Sequence, residues 1–322
     1  MNKQTILVTG AAGFIGFHVA KKLLEDGHTI IGIDNINDYY DQRLKLDRNK
    51  ILSEFENYFF YKIDIIQREE LEKVFSKHSI NKTCHLAAQA GVRYSLENPF
   101  IYEEVNIRGF LNVIEASKKS GVNDIVYASS SSIYGNSKMP KTGFTEKDTL
   151  GDQVSFYGTT KRSNELTAAT YHHLYKMNFT GLRFFTAYGP WGRPDMAYFS
   201  FTKAILEDVP LKVFNFGKMK RDFTYIDDVV DGVIAALSTS FSNEIFNIGN
   251  SHTIELKYFI SCLEQALGKK AVLDFVPHQS GDVYETFADI SHARKQLNFK
   301  PSIEIEEGVR RFVGWYKEYY KI

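Results

Sequence analysis

The chain has 322 residues, 43% of them hydrophobic and 24% charged, enough to bury a substantial core as one large domain or two moderate ones. Lys+Arg and Asp+Glu both count 39, so no global field points to nucleic acid or to a membrane surface. No apolar run approaches the ~20 residues that span a bilayer, and Cys84 and Cys262 have no metal-ligand spacing, so the expectation is a cytoplasmic protein with no metal and two thiols packed in its core.

Residues 5–8 form a short β-rich run, early enough to leave no room for a signal peptide. Gly10-Ala11-Ala12-Gly13-Phe14-Ile15-Gly16 follows at once. An amphipathic helix through Val19, Leu23 and Leu24 then stops at Gly27, and a second strand over 29–33 ends on Asp34. A glycine-rich turn alone fits many α/β proteins. Strand, glycine loop, helix, strand and acid together form the context of a dinucleotide site. The glycines allow a tight turn and close approach of backbone to a pyrophosphate, whose charge lies on the helix N-terminus. Asp34 would accept hydrogen bonds from a ribose 2′-hydroxyl and repel a 2′-phosphate. No arginine directly follows it, which favours NAD over NADP.

Residues 58–63 read as a third strand ending in Asp64-Ile65, followed by a polar helix to His78. Residues 83–86 read as a short strand ending in Ala87-Ala88-Gln89-Ala90, small residues where backbone can pass close to a ligand. A helix over about 102–120 precedes a strand over 124–128. This alternation predicts an α/β fold, a Rossmann-type doubly wound parallel sheet with ligands at the strand C-termini. Asp64 reads either as a contact to the adenine amine or as a helix cap. His85 reads as a packed strand residue, and Asn106 as structural or as a cofactor contact.

Ser129-Ser130-Ser131-Ser132 follows the next strand directly, where hydroxyls would face the nicotinamide end of the cofactor. Tyr157 and Lys161 stand four residues apart as a helical pattern begins, so both address one small volume. A nearby cation favours the phenolate, and such a pair exchanges protons with an alcohol near neutral pH. Spacing alone means little, since Tyr58 and Lys62 share it without a role.

Together these pieces resemble the extended branch of the short-chain dehydrogenase/reductase superfamily, through the Gly10/Gly13/Gly16 spacing, the serines after the strand and Tyr157-x-x-x-Lys161. Arg183-Phe184-Phe185-Thr186-Ala187-Tyr188-Gly189-Pro190, Arg193-Pro194-Asp195-Met196 and Arg221-Asp222-Phe223-Thr224-Tyr225-Ile226-Asp227-Asp228 look like blocks of the nucleotide-sugar epimerases, and more narrowly of the UDP-glucuronate 4-epimerases. The resemblance implies Tyr157 as acid/base, Lys161 as the residue that lowers its pKa, and Ser130 as the partner of the reacting 4-hydroxyl. It implies a tightly held NAD, met by Gly10, Gly13, Phe14, Ile15, Gly16, Asp34, Asn35, Asp64, Ile65, Leu86, Ala87, Ala88 and Asn106, along with Tyr157 and Lys161. Relatives that eliminate water or CO2 carry acids where this chain has Ser131 and Ser132, which leaves C4 epimerisation.

Beyond Thr186 the periodicity is mixed, as for a smaller α/β substrate-binding domain. The expected division is residues 1–186, rejoined by about 223–250, and 187–322. Lys212, Phe214, Arg221 and Asp282 resemble the uridine and diphosphate contacts, with Gln279 where related epimerases carry a further arginine. A 4-keto uronate is a β-keto acid that loses CO2 when its C5–C6 bond aligns with the ketone π system. A hydroxyl and a guanidinium would prevent that, and Thr186 and Arg193 are the candidates, with Arg93, Ser95, Ser131 and Ser132 lining the sugar pocket. The competing reading of Arg193 is a surface ion pair. Asp227 and Asp228 read as caps of a helix, and Trp191 and Trp315 as packing. The resemblance further implies a cytoplasmic homodimer that supplies polysaccharide biosynthesis from a UDP-sugar. Epimerisation of another UDP-sugar, neutral or N-acetylated, and a non-catalytic NAD-binding protein are the alternatives.

Overall fold

The computed structural model describes residues 3–277 and 284–322. Strands β1 (Thr5–Thr9), β2 (Thr29–Asp34), β3 (Tyr58–Lys62), β4 (Lys82–His85), β5 (Asp124–Ser130) and β6 (Asn178–Phe184) come first. The short β7 (Thr186–Tyr188), β8 (Leu211–Phe214), β9 (Lys220–Arg221) and β10 (Phe223–Tyr225) precede β11 (Asn243–Ile248). The chain then adds β12 (Ile254–Glu255), β13 (Leu273–Val276) and β14 (Glu285–Thr286).

One seven-stranded sheet runs in the order β11-β6-β5-β4-β1-β2-β3. All its pairings are parallel. Parallel strands need crossovers, and helices supply them on both faces, so the strands read as apolar runs. Ile6, Leu7 and Val8 are accordingly buried on both sides of β1. The strand order reverses between β1 and β4, and such a switch point opens a crevice at the carboxyl ends of the strands. Around that crevice stand small sheets: β7 with β10, β8 with β13, and β9 between β12 and β14.

Two local expectations differ from the structure. The helix expected over 102–120 is three pieces, Pro99–Tyr102, a π-helical segment Glu103–Gly109, and Phe110–Lys119. The cause is local. The Asn106 amide leaves the helix for Gln89, accepting from its N–H at 2.8 Å and donating to its C=O at 2.9 Å. The Asn106 carbonyl meanwhile accepts from Asn164 Nδ2 at 2.7 Å. Side chains inserted into the backbone ladder widen the turn, a distortion common near functional sites. Asp227 and Asp228 do not cap the helix Ile226–Ser238. The buried Asp228 instead accepts from the N–H groups of Ser302 and Ile303, and Asp227 pairs with Arg311 at 3.5 Å, both reaching the C-terminal segment.

Trp191 and Trp315 pack together with ring centroids 5.3 Å apart, as expected of core residues. Cys84 and Cys262 are buried free thiols. No helix among the described residues is long and apolar enough to cross a membrane.

Candidate active site

The carboxyl ends of β1, β2, β4, β5 and β6 open into a cavity of about 470 Å³, which extends from Gly10 to Arg221. At one end the glycine loop is wound so tightly that side chains are excluded. A Cβ on Gly16 would lie 2.0 Å from the Gly10 carbonyl oxygen, and one on Gly13 would lie 2.9 Å from it. Gly10 itself has φ +71°, and a Cβ there would meet Ala87 N at 2.8 Å. The helix Phe14–Glu25 begins on Gly13 with no side-chain cap and no acid in its first turn. Its exposed N–H groups and dipole therefore favour an anion.

Asp34 closes β2 beneath this loop. Its carboxylate accepts from Ala12 N at 3.1 Å and Ile36 N at 2.9 Å, which leaves lone pairs toward the cavity it lines. Burial raises its pKa, opposed by the Lys45 charge. Asp64 accepts from Asn35 Nδ2 at 2.7 Å and caps its own turn through Ile66 N at 3.1 Å, so it serves the local turn while facing the cavity. A loop with three positions closed to side chains, an uncapped helix and a fixed acid have the chemistry of a dinucleotide cradle, so the residues present fit NAD.

Ser155 caps the helix Phe156–Tyr175 by accepting from Gly158 N at 3.1 Å, which sets Tyr157 and Lys161 on its cavity face. Lys161 is buried and donates to the Ala128 carbonyl at 2.8 Å, with its Nζ 6.0 Å from the Tyr157 ring centroid. Burial pulls the ammonium down to about 8. Burial raises the Tyr157 phenol, and a hydrogen bond with Ser130 and then the Arg193 charge bring it part of the way back. The lowering expected of Lys161 comes instead from Ser130 and Arg193, while Lys161 stands near the ring without contributing to it.

The serine run is sorted by the end of β5. Ser129 donates to Glu165 Oε1 at 2.7 Å, a buried contact within the fold. Ser130 Oγ accepts from Ser132 N and bonds Ser132 Oγ, each at 3.1 Å, so Ser130, Ser131 and Ser132 form one short turn facing the cavity.

Opposite them, Thr186, Arg193 and Arg221 line the same cavity. Arg193 pairs with Asp195 through Nε–Oδ1 at 3.0 Å and Nη2–Oδ2 at 2.5 Å. Burial works against its cation, but the charge and hydrogen bonds of Asp195 outweigh it and raise the pKa further. Five donors on one guanidinium leave others for a second carboxylate.

Other expected residues stand outside this lining. Asn106 is spent on Gln89, with a further bond to Thr160 Oγ1 at 3.1 Å. Ser95 is buried and donates to the Val92 carbonyl at 2.6 Å. Arg93 stacks over the Phe214 ring at 5.2 Å, and Lys212 is exposed on β8. Asp282, like Gln279 and Gly281, lies outside the described residues. Phe14, Ile15, Asn35, Ile65, Leu86, Ala87 and Ala88 do line the cavity. So do Tyr39, Tyr40, Lys45, Gln89 and Met196, which the sequence reading did not single out. For Lys45 the signal was present, a cation one helix turn into the segment after Asp34. For Gln89 it was an amide amid alanines, and its Nε2 is buried without a partner among the described residues.

Comparison with known proteins adds the family context. The model of the NAD-dependent epimerase/dehydratase family matches residues 6–249. A UDP-glucuronate 4-epimerase of Thermodesulfobacterium geofontis is 47% identical over 97% of this chain and 96% of its own. UDP-glucuronate 4-epimerase 4 of Arabidopsis thaliana is 45% identical over 99% of this chain and 76% of its own. Among solved structures, UDP-glucuronic acid 4-epimerase of Bacillus cereus, in complex with UDP-glucuronic acid and NAD, superposes with a TM-score of 0.91. It is 36% identical, over 98% of this chain and 100% of that one.

Proposed function

The chain belongs to the NAD-dependent epimerase/dehydratase family, and from that premise we infer that it interconverts UDP-glucuronate and UDP-galacturonate by inverting C4 through a 4-keto sugar. The carrying observation is that Thr186 and Arg193, suited to a carboxylate, share one cavity with Tyr157, Lys161 and Ser130, suited to an alcohol. NAD, the cofactor, would supply a reversible hydride acceptor for C4.

In this reading Tyr157 takes the C4 hydroxyl proton and later gives it back. Lys161 stabilises the phenolate, and Ser130 donates to the reacting oxygen. Gly10, Gly13, Phe14, Ile15 and Gly16 hold the pyrophosphate, and Asp34 with Asn35 the adenosine ribose. Asp64 and Ile65 would serve the adenine end, and Leu86, Ala87 and Ala88 would let the cofactor approach the backbone closely. Arg221 holds the substrate diphosphate, and Lys212, Phe214 and Asp282 are the candidate contacts of the uridine. Ser131 and Ser132 meet the sugar as hydroxyls and offer no acid for elimination. Thr186 and Arg193 hold the carboxylate so that the C5–C6 bond stays out of line with the ketone. Arg93, Ser95 and Asn106 act from behind, by shaping the loops that carry these contacts.

The division into residues 1–186, rejoined by about 223–250, and 187–322 is supported by β11 completing the sheet begun by β1–β6. A homodimer is supported by Leu111, Leu166 and Leu174, exposed apolar side chains on the helices Phe110–Lys119 and Phe156–Tyr175. A cytoplasmic setting is supported by the two free thiols. The test is to incubate purified protein, without added NAD, with UDP-glucuronate and separate the products. UDP-galacturonate is expected, and UDP-xylose or no reaction rejects the reading.

A further inference from the structure

Arg193 follows a segment with unusual backbone. Trp191 has φ +59°, a conformation that bulky residues rarely adopt. At Gly192 there is no room for any side chain, since a Cβ would lie 2.1 Å from Tyr198 Oη. Strain of this kind persists only where surroundings impose it. Here three successive carbonyls are each held by a side chain from the cofactor half. The Pro190 carbonyl is 3.0 Å from His18 Nε2, while Arg48 Nη2 donates to the carbonyls of Trp191 at 2.6 Å and Gly192 at 3.0 Å.

The other arm of Arg48 reaches the glycine loop. Its Nη1 donates to the Ala12 carbonyl at 2.9 Å and to Tyr40 Oη at 2.8 Å. Arg48 is 0% exposed, and among the described residues its Nε has no partner and no carboxylate pairs with it. A buried cation bound mainly to carbonyls is a costly way to fill space, because apolar packing of similar volume serves stability as well or better. What it does provide is a fixed distance between the loop at Ala12 and the backbone entering Arg193. His18 completes the arrangement from the loop's own helix. Burial brings its pKa down to about 4, so near neutral pH it is uncharged, and because a carbonyl only accepts, its Nε2 carries the proton.

We propose that Arg48 and His18 are positioning residues that fix the Arg193 guanidinium, and through it the grip on the substrate carboxylate, by tying carbonyls 190–192 to the glycine loop and its helix. This rests on the reading of Arg193 as the carboxylate's partner. A loosened Arg193 lets the C5–C6 bond rotate into line with the 4-ketone. C6 then leaves as CO2, its bonding pair becomes the enolate of the ketone, and protonation at C5 gives a UDP-linked five-carbon 4-ketosugar. That ketosugar would either take back at C4 the hydride held by NAD and leave as a UDP-pentose, or leave as the ketone with that hydride remaining on the cofactor.

The experiment compares Arg48→Met, Arg48→Lys, His18→Leu, Arg193→Leu and the Arg48→Met/Arg193→Leu double variant. Each is measured for KM, for the five-carbon fraction of product, and for calorimetric binding of UDP, which lacks the carboxylate. Arg48→Met is expected to raise KM for UDP-glucuronate at least tenfold and to release five-carbon product, while UDP binding stays within twofold. Arg48→Lys restores part of the loss, His18→Leu raises KM about threefold, and the double variant is no worse than Arg193→Leu. Equal weakening of UDP and UDP-glucuronate, or losses that multiply in the double variant, overturns the proposal. Should Arg48→Met fail to fold, His18→Leu decides, and an unchanged KM there overturns it. An Arg193→Leu enzyme with unaltered KM rejects instead the carboxylate reading beneath it.

Discussion

The two walls of the cavity are built by different means. The wall carrying Tyr157, Lys161 and Ser130 is regular structure: the end of β5 and the start of the helix Phe156–Tyr175, the helix tied to neighbouring β6 by a buried ion pair. Arg183 on β6 meets Glu165 on that helix through Nε–Oε1 and Nη2–Oε2, both 2.9 Å. Glu165 also takes the Ser129 hydroxyl, and Arg183 donates to Tyr134 Oη at 3.0 Å. The opposite wall, with Thr186, Arg193 and Arg221, has only strands of two or three residues and the left-handed turn at Trp191. The backbone entering Arg193 is held by bonds from the distant side chains of His18 and Arg48 to carbonyls 190–192, and Arg193 itself pairs with the nearby Asp195. Sites on helices and strands are more precisely fixed than sites on loops. In the proposed reading, proton chemistry sits on the rigid wall and substrate choice on the looser one.

The sharpest way to separate the walls is Tyr157→Phe. The ring contact with Tyr102, 6.1 Å between centroids, survives without the hydroxyl. Losing a positioned acid/base costs about 10²- to 10⁴-fold in kcat, with KM and the thermal midpoint nearly unchanged. A variant that keeps more than a tenth of kcat would remove Tyr157 from the chemistry. Glu165→Gln strikes the same wall through its frame. It leaves the Arg183 guanidinium, whose side chain is 3% exposed, without its charge partner. Breaking such a pair costs about 3–5 kcal/mol, read by chemical denaturation. If stability holds and only KM moves, the contrast between a framed and an unframed wall fails.

That contrast also explains what the sequence could reveal. The glycine loop, Asp34, the serine turn and Tyr157–Lys161 are each encoded within a few residues, by local period and turn chemistry, so their placement was legible. The clamp on residues 190–192 joins positions 144 and 172 apart in the chain, and nothing near Arg48 or His18 announces it. The aspartates at 227 and 228 sit at a helix start, where capping is the local expectation. The partners of Asp228 lie 74 and 75 residues away, and tertiary contact prevailed. The π-helical segment depends likewise on Asn106 finding Gln89 and Asn164, none of which a helical period records.

The pH dependence offers the smallest effect and the finest division. Lys161 has its pKa lowered from 10.5 to about 8 by burial, so it is charged below that value and neutral above it. As pH rises through about 8, the cation 6.0 Å from the Tyr157 ring is lost, and only the Ser130 hydrogen bond and the Arg193 charge remain to oppose burial at that phenol. On the facing wall Asp195 keeps the Arg193 cation secure at any such pH. The expected profile is a kcat that halves near pH 8 and falls about tenfold per unit beyond it, while KM for UDP-glucuronate stays level. Initial rates between pH 6.5 and 9.5, with product separation, give both quantities. A kcat flat to pH 9.5 would mean that Lys161 does not carry the charge the phenolate needs. A KM that climbs with the fall in kcat would mean that the two walls titrate together.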